Sequence, residues 1–384
     1  MRPDELPRDE RSARALWSRI AEPADARVAA LLQKHDPVTA LHLLPGDGIA
    51  RHDALRDRLV AAEPGRDLAL AQRCGARLLV PADEEWPPGL DDLEPPKRPY
   101  CLWVRGPVQL AEAMERSVSV VGSRAATEYG QRVAADLGAG LAQRGFAVVS
   151  GAAFGIDAAA HRGALAEDGE TVAVLAGGVE RPYPAAHERL IARVAETGAV
   201  VSEVAPGCAP TRSRFLLRNR LIAALSQGTV VVEAGYRSGA LSTMRAAAEL
   251  VRPVAVVPGP VTSMTSAGCH QAVRDGVAEL VTDAAEVAEL CGRMGTDLAP
   301  ERRAQVQELD LLGDADAKVR SALPVRNLAR LESIALAASL TVPETRASLG
   351  RLVTLGLAET RDGGYRLGAE ARRRPARPSG GPCP

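Results

Sequence analysis

The chain has 384 residues, 46% of them hydrophobic and 25% charged, with a formal net charge of −1. That length exceeds one small core and suits a domain of about 200 residues with one or two smaller modules, and the composition is that of a folded chain rather than a disordered one. The near-zero charge excludes a globally basic nucleic-acid coat, so a hold on phosphate has to come from a local patch, and with just Lys34, Lys97 and Lys318 among 47 basic residues, arginine is simply the default cation here.

The opening MRPDELPRDE is acidic without an apolar core, and no run of about 18 apolar residues occurs, so neither export nor membrane insertion is expected. Cysteines 74, 101, 208, 269, 291 and 383 stand apart with no CxxC pair, and the six histidines do not cluster near them. A reduced, cytoplasmic protein without metal or cofactor is the expectation. From Arg14 to about Cys74, apolar residues recur at three- and four-residue spacing in RALWSRIAE, ARVAALLQKH and ALRDRLVAAE, broken by the PGDG of Pro45 to Gly48. This predicts a small helical (SAM-like) domain over residues 1–75. Arg77 to Leu90 and Pro99 to Gly106 then predict two short strands around a proline-rich connection.

From Ser117 the pattern becomes regular. The apolar runs SVSVVG, FAVVSG, TVAVLAGG, AVVSEV, TVVVEA, VAVVPG and ELVT alternate with amphipathic helical stretches. Unbroken apolar runs suit strands buried on both faces, and the segments between them are long enough for crossover helices. The fold class is therefore α/β: an extended Rossmann-like fold with an open, mostly parallel sheet over residues 76–298. Thr127 is placed to cap a helix ending at Gly145, and Asp283 to cap a later one. A charged linker, MGTDLAPERRAQ, leads to LARLESIALAASL and ETRASLGRLVTLG and then to LAETRDGGYRL with Asp362, Gly363 and Gly364 at a hairpin tip. Helices succeeded by a hairpin predict a C-terminal winged-helix domain over residues 305–368, with a disordered tail at 369–384.

Ligands of such sheets bind beyond the carboxyl ends of the strands, where helix N-termini favour anions. The residues after the predicted strands are small and polar: Gly122, Ser123 and Arg124; Ser150, Gly151, Gly155 and Asp157; Gly177 and Gly178; Glu203; Glu233; Ser238, Gly239 and Thr243; Pro258 and Gly259. Taken singly, each glycine is explained by a tight turn or close packing. Taken together they predict a phosphate-sized site on one rim. The first loop, GSRAATEYG, is not a GxGxxG fingerprint, and no GxxxxGK[ST] run occurs, which argues against a P-loop NTPase.

Between Ala205 and Arg245 lie six arginines (212, 214, 218, 220, 237 and 245) against one acid, Glu233, a local charge of +5. A helix carrying RSRFLLRNR sets Phe215 and Arg218 within one turn of each other. The stretch has two readings: an aromatic for unpaired bases beside guanidinium groups for the backbone, or a core phenylalanine on a solvated basic face. Asp157 and His161, four residues apart, form either an acid/base pair or a helix-bridging one. Glu203 and Glu233 serve either as acid or base, or as acceptors for the glycine loops.

The phrases SVSVVGSRAATEYG, VVSGAAFGIDAAAHRGAL, YPAAHERL, FLLRNRLIAALS, VVVEAGYRSGALST and VAVVPGPV, with RLLVPADEEWPPGL before them, span about Arg77 to Val281. With them the chain resembles the bacterial DNA-processing protein A family (DprA, also called Smf). The resemblance implies a Rossmann-like domain that binds single-stranded DNA, forms a homodimer and helps load the RecA recombinase onto incoming strands during natural transformation, with no catalysis. By position it implies phosphate contacts from Gly122, Ser123, Arg124, Gly151, Gly155, Arg212 and Arg218, a base-stacking role for Phe215, and a place for Asn219 in the RNR run. Ser238 and Gly239, on the late loop, complete the expected DNA-binding set. Phe154 and His270 depart from the residues usual in the family. From Glu301 to Glu370, ten basic and ten acidic residues balance, which fits a winged helix used for protein contacts better than a DNA reader.

An alternative is a nucleotide-processing enzyme similar to the lysine-decarboxylase-like phosphoribohydrolases. The loop EAGYRSGALST, however, lacks the PGGxGT run typical of them. A regulator whose winged helix reads duplex DNA is opposed by the balanced charge of that domain.

Overall fold

The computed structural model describes residues 5–44, 53–300 and 312–369. The expected break at Pro45 to Gly48, residues 301–311 of the linker and residues 370–384 of the tail lie outside them. The described residues up to Pro300 make one compact unit and those from Leu312 a second.

The chain opens with five helices, α1 (Glu10–Ile20), α2 (Ala26–Leu32), α3 (Pro37–Leu43), α4 (Asp53–Val60) and α5 (Pro64–Arg73). Aspartates cap three of them, Asp9, Asp25 and Asp36 each accepting from a first-turn amide. Their apolar faces close around Trp17, Ile20, Leu41, Leu44 and Leu55. The helices are tied to the strands and loops of the same unit: Trp103 donates its indole N–H to Ser18 at 3.1 Å, and Arg19 reaches both Asp67 and the Pro206 carbonyl.

The two short strands are β1 (Ala76–Leu79) and β2 (Leu102–Arg105), with α6 (Leu110–Met114) after them. Next come β3 (Ser117–Val121), α7 (Glu128–Gln143), β4 (Ala147–Ser150), α8 (Ile156–Ala166), β5 (Thr171–Val174), α9 (Glu188–Thr197), β6 (Ala199–Ser202) and α10 (Arg212–Leu225). The domain finishes with β7 (Gly228–Val231), α11 (Ala240–Glu249), β8 (Val254–Val256), α12 (Ala267–Arg274), β9 (Glu279–Leu280) and α13 (Ala284–Cys291). All seven apolar runs of the sequence are strands. Thr127 caps α7 by accepting from the Gly130 amide, and Asp283 caps α13.

The nine strands form one sheet in the order β1-β2-β6-β5-β4-β3-β7-β8-β9. Pairing is parallel from β6 to β9 and antiparallel at β1–β2 and β2–β6. The parallel part of the sheet starts at β3, moves outward through β4, β5 and β6, then returns to lay β7 against the other side of β3. That reversal opens a crevice at the carboxyl ends of β3 and β7, where a Rossmann-like sheet binds its ligand. Successive strand residues point to opposite faces. Val149, Val174, Val201 and Val231 therefore meet α10 and α11, while Val118, Val120, Val148 and Val230 meet α7, α8 and α13. Each such fully buried apolar side chain contributes about 1.5–3 kcal/mol, which holds the rim loops to a rigid platform.

The second unit contains α14 (Asp314–Ala322), α15 (Leu331–Ala338), α16 (Val342–Thr354) and the hairpin β10 (Ala358–Arg361) to β11 (Gly364–Leu367). Helix α14, within DADAKVRSA, is an addition to the elements expected from the sequence. Asp362 and Gly363 both adopt positive φ at the hairpin tip, the geometry that matches the twist of the two strands. Val319, Ile334, Leu349 and Leu352 fill its core.

Candidate nucleic-acid interface

The β3–β7 crevice is a cleft of about 640 Å³. Four helices begin around it: α7 after Thr127, α8 after Gly155, α10 after Thr211 and α11 after Gly239. First-turn amides of these helices are taken up by Thr127, Ser123, Thr211 and Ser238, so what the helices offer an anion at this rim is chiefly the positive ends of their dipoles.

Gly122, Ser123 and Arg124 line the cleft as the first loop. Ser123 N–H donates to the Glu233 carbonyl at 2.7 Å, and Ile156 N–H donates to the Ser123 carbonyl at 3.3 Å. The loop is thus clamped between the loops after β7 and β4. Glu233, 2% exposed, accepts from Thr127 N–H at 2.9 Å and from Thr127 Oγ1 at 2.6 Å. Its carboxylate is a brace for the first loop and not a free acid or base.

Gly151 and Gly155 stand behind the wall of the cleft rather than on it. Gly155 has φ +76, and a Cβ there would press on the Ser123 carbonyl and come within 2.7 Å of the Arg124 carbonyl. A Cβ on Gly151 would overlap the Arg218 guanidinium. Both glycines act by letting their neighbours approach. Ser238 and Gly239 do line the cleft, and Asn219 holds this loop by donating to the Gly239 carbonyl at 3.2 Å and to Ser242 Oγ at 2.7 Å.

The six arginines of the basic stretch separate into different fates. Arg214 forks onto Glu22 of the helical segment at 2.9 and 3.0 Å, and Arg220 forks onto buried Glu203 at 2.7 and 2.5 Å. Glu203 is therefore structural. Arg218 forms the floor, 4% exposed, its Nη1 donating to the Val174 carbonyl while Nε has no protein partner. Burial pushes its pKa down to about 10, against the pull of Asp157. Burial likewise pushes the Asp157 carboxyl up, although Arg218 and the amides of Ala153 and Gly151 oppose this. Arg245 is exposed outside the cleft, leaving Arg212 and Arg237 exposed on its lip beside Arg124.

Helical spacing pairs Phe215 with Arg218, but the structure pairs it with Arg124, because Arg218 turns into the floor. The Arg124 guanidinium sits 4.9 Å from the Phe215 ring centroid, and the Tyr183 ring lies 5.3 Å from Phe215 on a tilted plane. Phe215 is half-buried, neither a core residue nor a free one. Asp157 and His161 do not form an acid/base pair. His161 is fully buried, its Nδ1 2.7 Å from Thr171 Oγ1 and its Nε2 without a partner, and burial pushes its pKa down to about 3. Phe154 packs edge-on against His187 at 4.6 Å, and His270 bonds the Gly259 carbonyl at 3.1 Å.

Sequence reasoning misses several contributors. It counts Arg237 in the basic stretch without assigning it to the site, whereas Asp157, expected on the rim, does line the cleft. Met264 and Thr265, in the loop after β8, close one side of the cleft. The small and polar run TSMTSAG is the available signal for them. Tyr183 stands in plain view in YPAAHERL.

The chain is similar to known proteins in sequence and in fold. A family model described as DNA recombination-mediator protein A matches residues 77–292. The putative DNA processing protein DprA of Mycobacterium tuberculosis is 46% identical over 366 residues, covering 92% of this chain and 93% of the relative. The X-ray structure of DNA processing protein A from Streptococcus pneumoniae is 28% identical with a TM-score of 0.62, over 75% of this chain and 99% of that one. A structure of DNA processing protein A from Helicobacter pylori, described for its single-stranded DNA binding mode, is 27% identical with a TM-score of 0.50, over 55% of this chain and 93% of that one.

Proposed function

Because the chain belongs to the DNA recombination-mediator protein A family, we propose that its cleft holds single-stranded DNA by the phosphates, independently of sequence, and presents the strand to the RecA recombinase. The observation that carries this reading is the Arg124 guanidinium over the Phe215 ring, with Tyr183 tilted against Phe215 from outside, on the lip of an arginine-bearing, glycine-built cleft. Every base has a π-face, so an aromatic beside cations grips a strand without reading it. The positive ends of the helix dipoles around the cleft add hold on the backbone. That the Helicobacter pylori relative is described for a single-stranded DNA binding mode supports the same reading.

Loading of RecA and pairing into a homodimer through the sheet domain rest on the family resemblance. The second unit, with its balanced charge and its helices leading into a hairpin, is read as a winged helix for protein contacts. The phosphoribohydrolase reading loses support because Glu233, its candidate acid, has both carboxylate oxygens engaged by Thr127.

The test is titration of a fluorescent oligonucleotide at several salt concentrations. Binding should weaken with salt at a log–log slope of about −0.7 per phosphate neutralised, with little difference between base compositions. Binding that is absent or indifferent to salt refutes the reading.

A further inference from the structure

Between α8 and α9 lies a second groove of about 400 Å³, lined by Arg162, Arg189 and Arg193 with the apolar surfaces of Leu165 and Leu190. No carboxylate lines it. Arg193 leans toward Glu196 at 3.5 Å, both side chains well exposed, whereas Arg162 and Arg189 form no ion pair among the described residues. Exposed arginines set in a concave surface whose lining holds no carboxylate are an electrostatic trap for a polyanion. Arg189 and Arg193 stand four residues apart on one face of α9, about 5–6 Å at Cβ, a spacing that suits successive phosphates of an extended strand.

The segment from Tyr183 to Arg189 joins this groove to the cleft. At one end Tyr183 rests against Phe215, in the stack that carries Arg124. In the middle, His187 meets the ring of Phe154, which is 47% exposed. At the other end Ala186 and Arg189 line the groove. Arginines, exposed aromatics and arginines again succeed one another along the surface.

We propose that this groove is a second phosphate-binding station, which takes up the single strand after it leaves the cleft and passes Tyr183 and Phe154. The inference rests on the reading of the cleft as a single-strand site. Exposed rings between two cationic grooves favour a nucleic acid over an acidic protein surface, since bases stack where carboxylates gain nothing.

The experiment measures binding of the full chain to oligothymidylates of about 5 and about 20 nucleotides, shorter and longer than one cleft accommodates. Wild type is compared with the double variants Arg162→Ala/Arg189→Ala and Arg162→Glu/Arg189→Glu. Both residues are exposed, and a thermal melt checks that the fold is kept. The long oligonucleotide should bind the alanine variant several-fold more weakly, and its salt slope should fall by about 1.4, from roughly 0.7 for each of two phosphates. The glutamate variant should lose more. The short oligonucleotide should bind all three proteins alike. Unchanged affinity and slope on the long strand overturn the inference and leave the groove to another polyanion. So does an equal loss on both lengths, which indicates a diffuse field. Absence of wild-type binding to either length overturns the reading of the cleft, and this inference with it.

Discussion

Removing the Arg124 guanidinium tests the cleft at an exposed working part. Arg124 is on the surface, forms no ion pair among the described residues, and is steadied by the Phe215 ring 4.9 Å away. A charge-assisted hydrogen bond to a phosphate contributes about 1.5–3 kcal/mol, and cation–π stacking of about 0.5–1 kcal/mol pre-orients the group at an exposed site. Arg124→Ala should therefore weaken strand binding by about 2 kcal/mol, or roughly 30-fold at about 1.4 kcal/mol per decade. The loss should be uniform across base compositions, and the salt slope should drop by about 0.7. Thermal stability should change by less than about 0.5 kcal/mol, as at other surface positions. Arg124→Lys should restore the slope but not the full affinity, because an ammonium keeps the charge and loses the planar stack. The assay is fluorescence anisotropy at three or more salt concentrations. Wild-type affinity with an unchanged slope in Arg124→Ala would refute the assignment.

Arg220→Ala, in contrast, should act on the fold. It strands buried Glu203 and should destabilise the protein by about 3–5 kcal/mol in chemical denaturation, with near-normal strand affinity in the folded fraction. Gly155→Ala forces a side chain into φ +76 and against the first-loop carbonyls. About 1–3 kcal/mol of strain, together with weaker DNA binding through displacement of Ser123 and Arg124, is expected; unchanged stability in a melt would contradict it. The pKa of His161 is near 3 folded against an ordinary 6.5, so the unfolded chain binds more protons between those values. Stability should fall as the pH drops below about 6.5, by at most about 1.4 kcal/mol per pH unit from this group. Denaturation from pH 7 to 4 should show a shallower acid limb in His161→Gln, and superimposable limbs would show that His161 does not contribute.

Much of the fold is legible in the sequence because strand and helix formation depend on near neighbours. The runs around Val118, Val148, Val172 and Val230 had to be strands buried on both sides, and Thr127 and Asp283 mark helix starts by their own side-chain chemistry. The rim glycines and the loop Gly122 to Arg124 come from the strand ends alone. Charge is the property that misleads. The +5 stretch reads as one basic face, yet Glu22 and Glu203 each take an arginine out of it and Arg218 is folded underneath.

The sequence by itself thus determined the parallel sheet, the rim at its strand ends and the small residues that build it, since these depend on local periodicity and backbone freedom. Tertiary structure alone decided that Arg124, not Arg218, stacks on Phe215, that Tyr183 joins them, and that Glu233 braces a loop rather than moving a proton. Those outcomes depend on distances of a few ångströms between segments far apart in the chain, and ion pairing, desolvation and ring contact all fall off steeply over such distances.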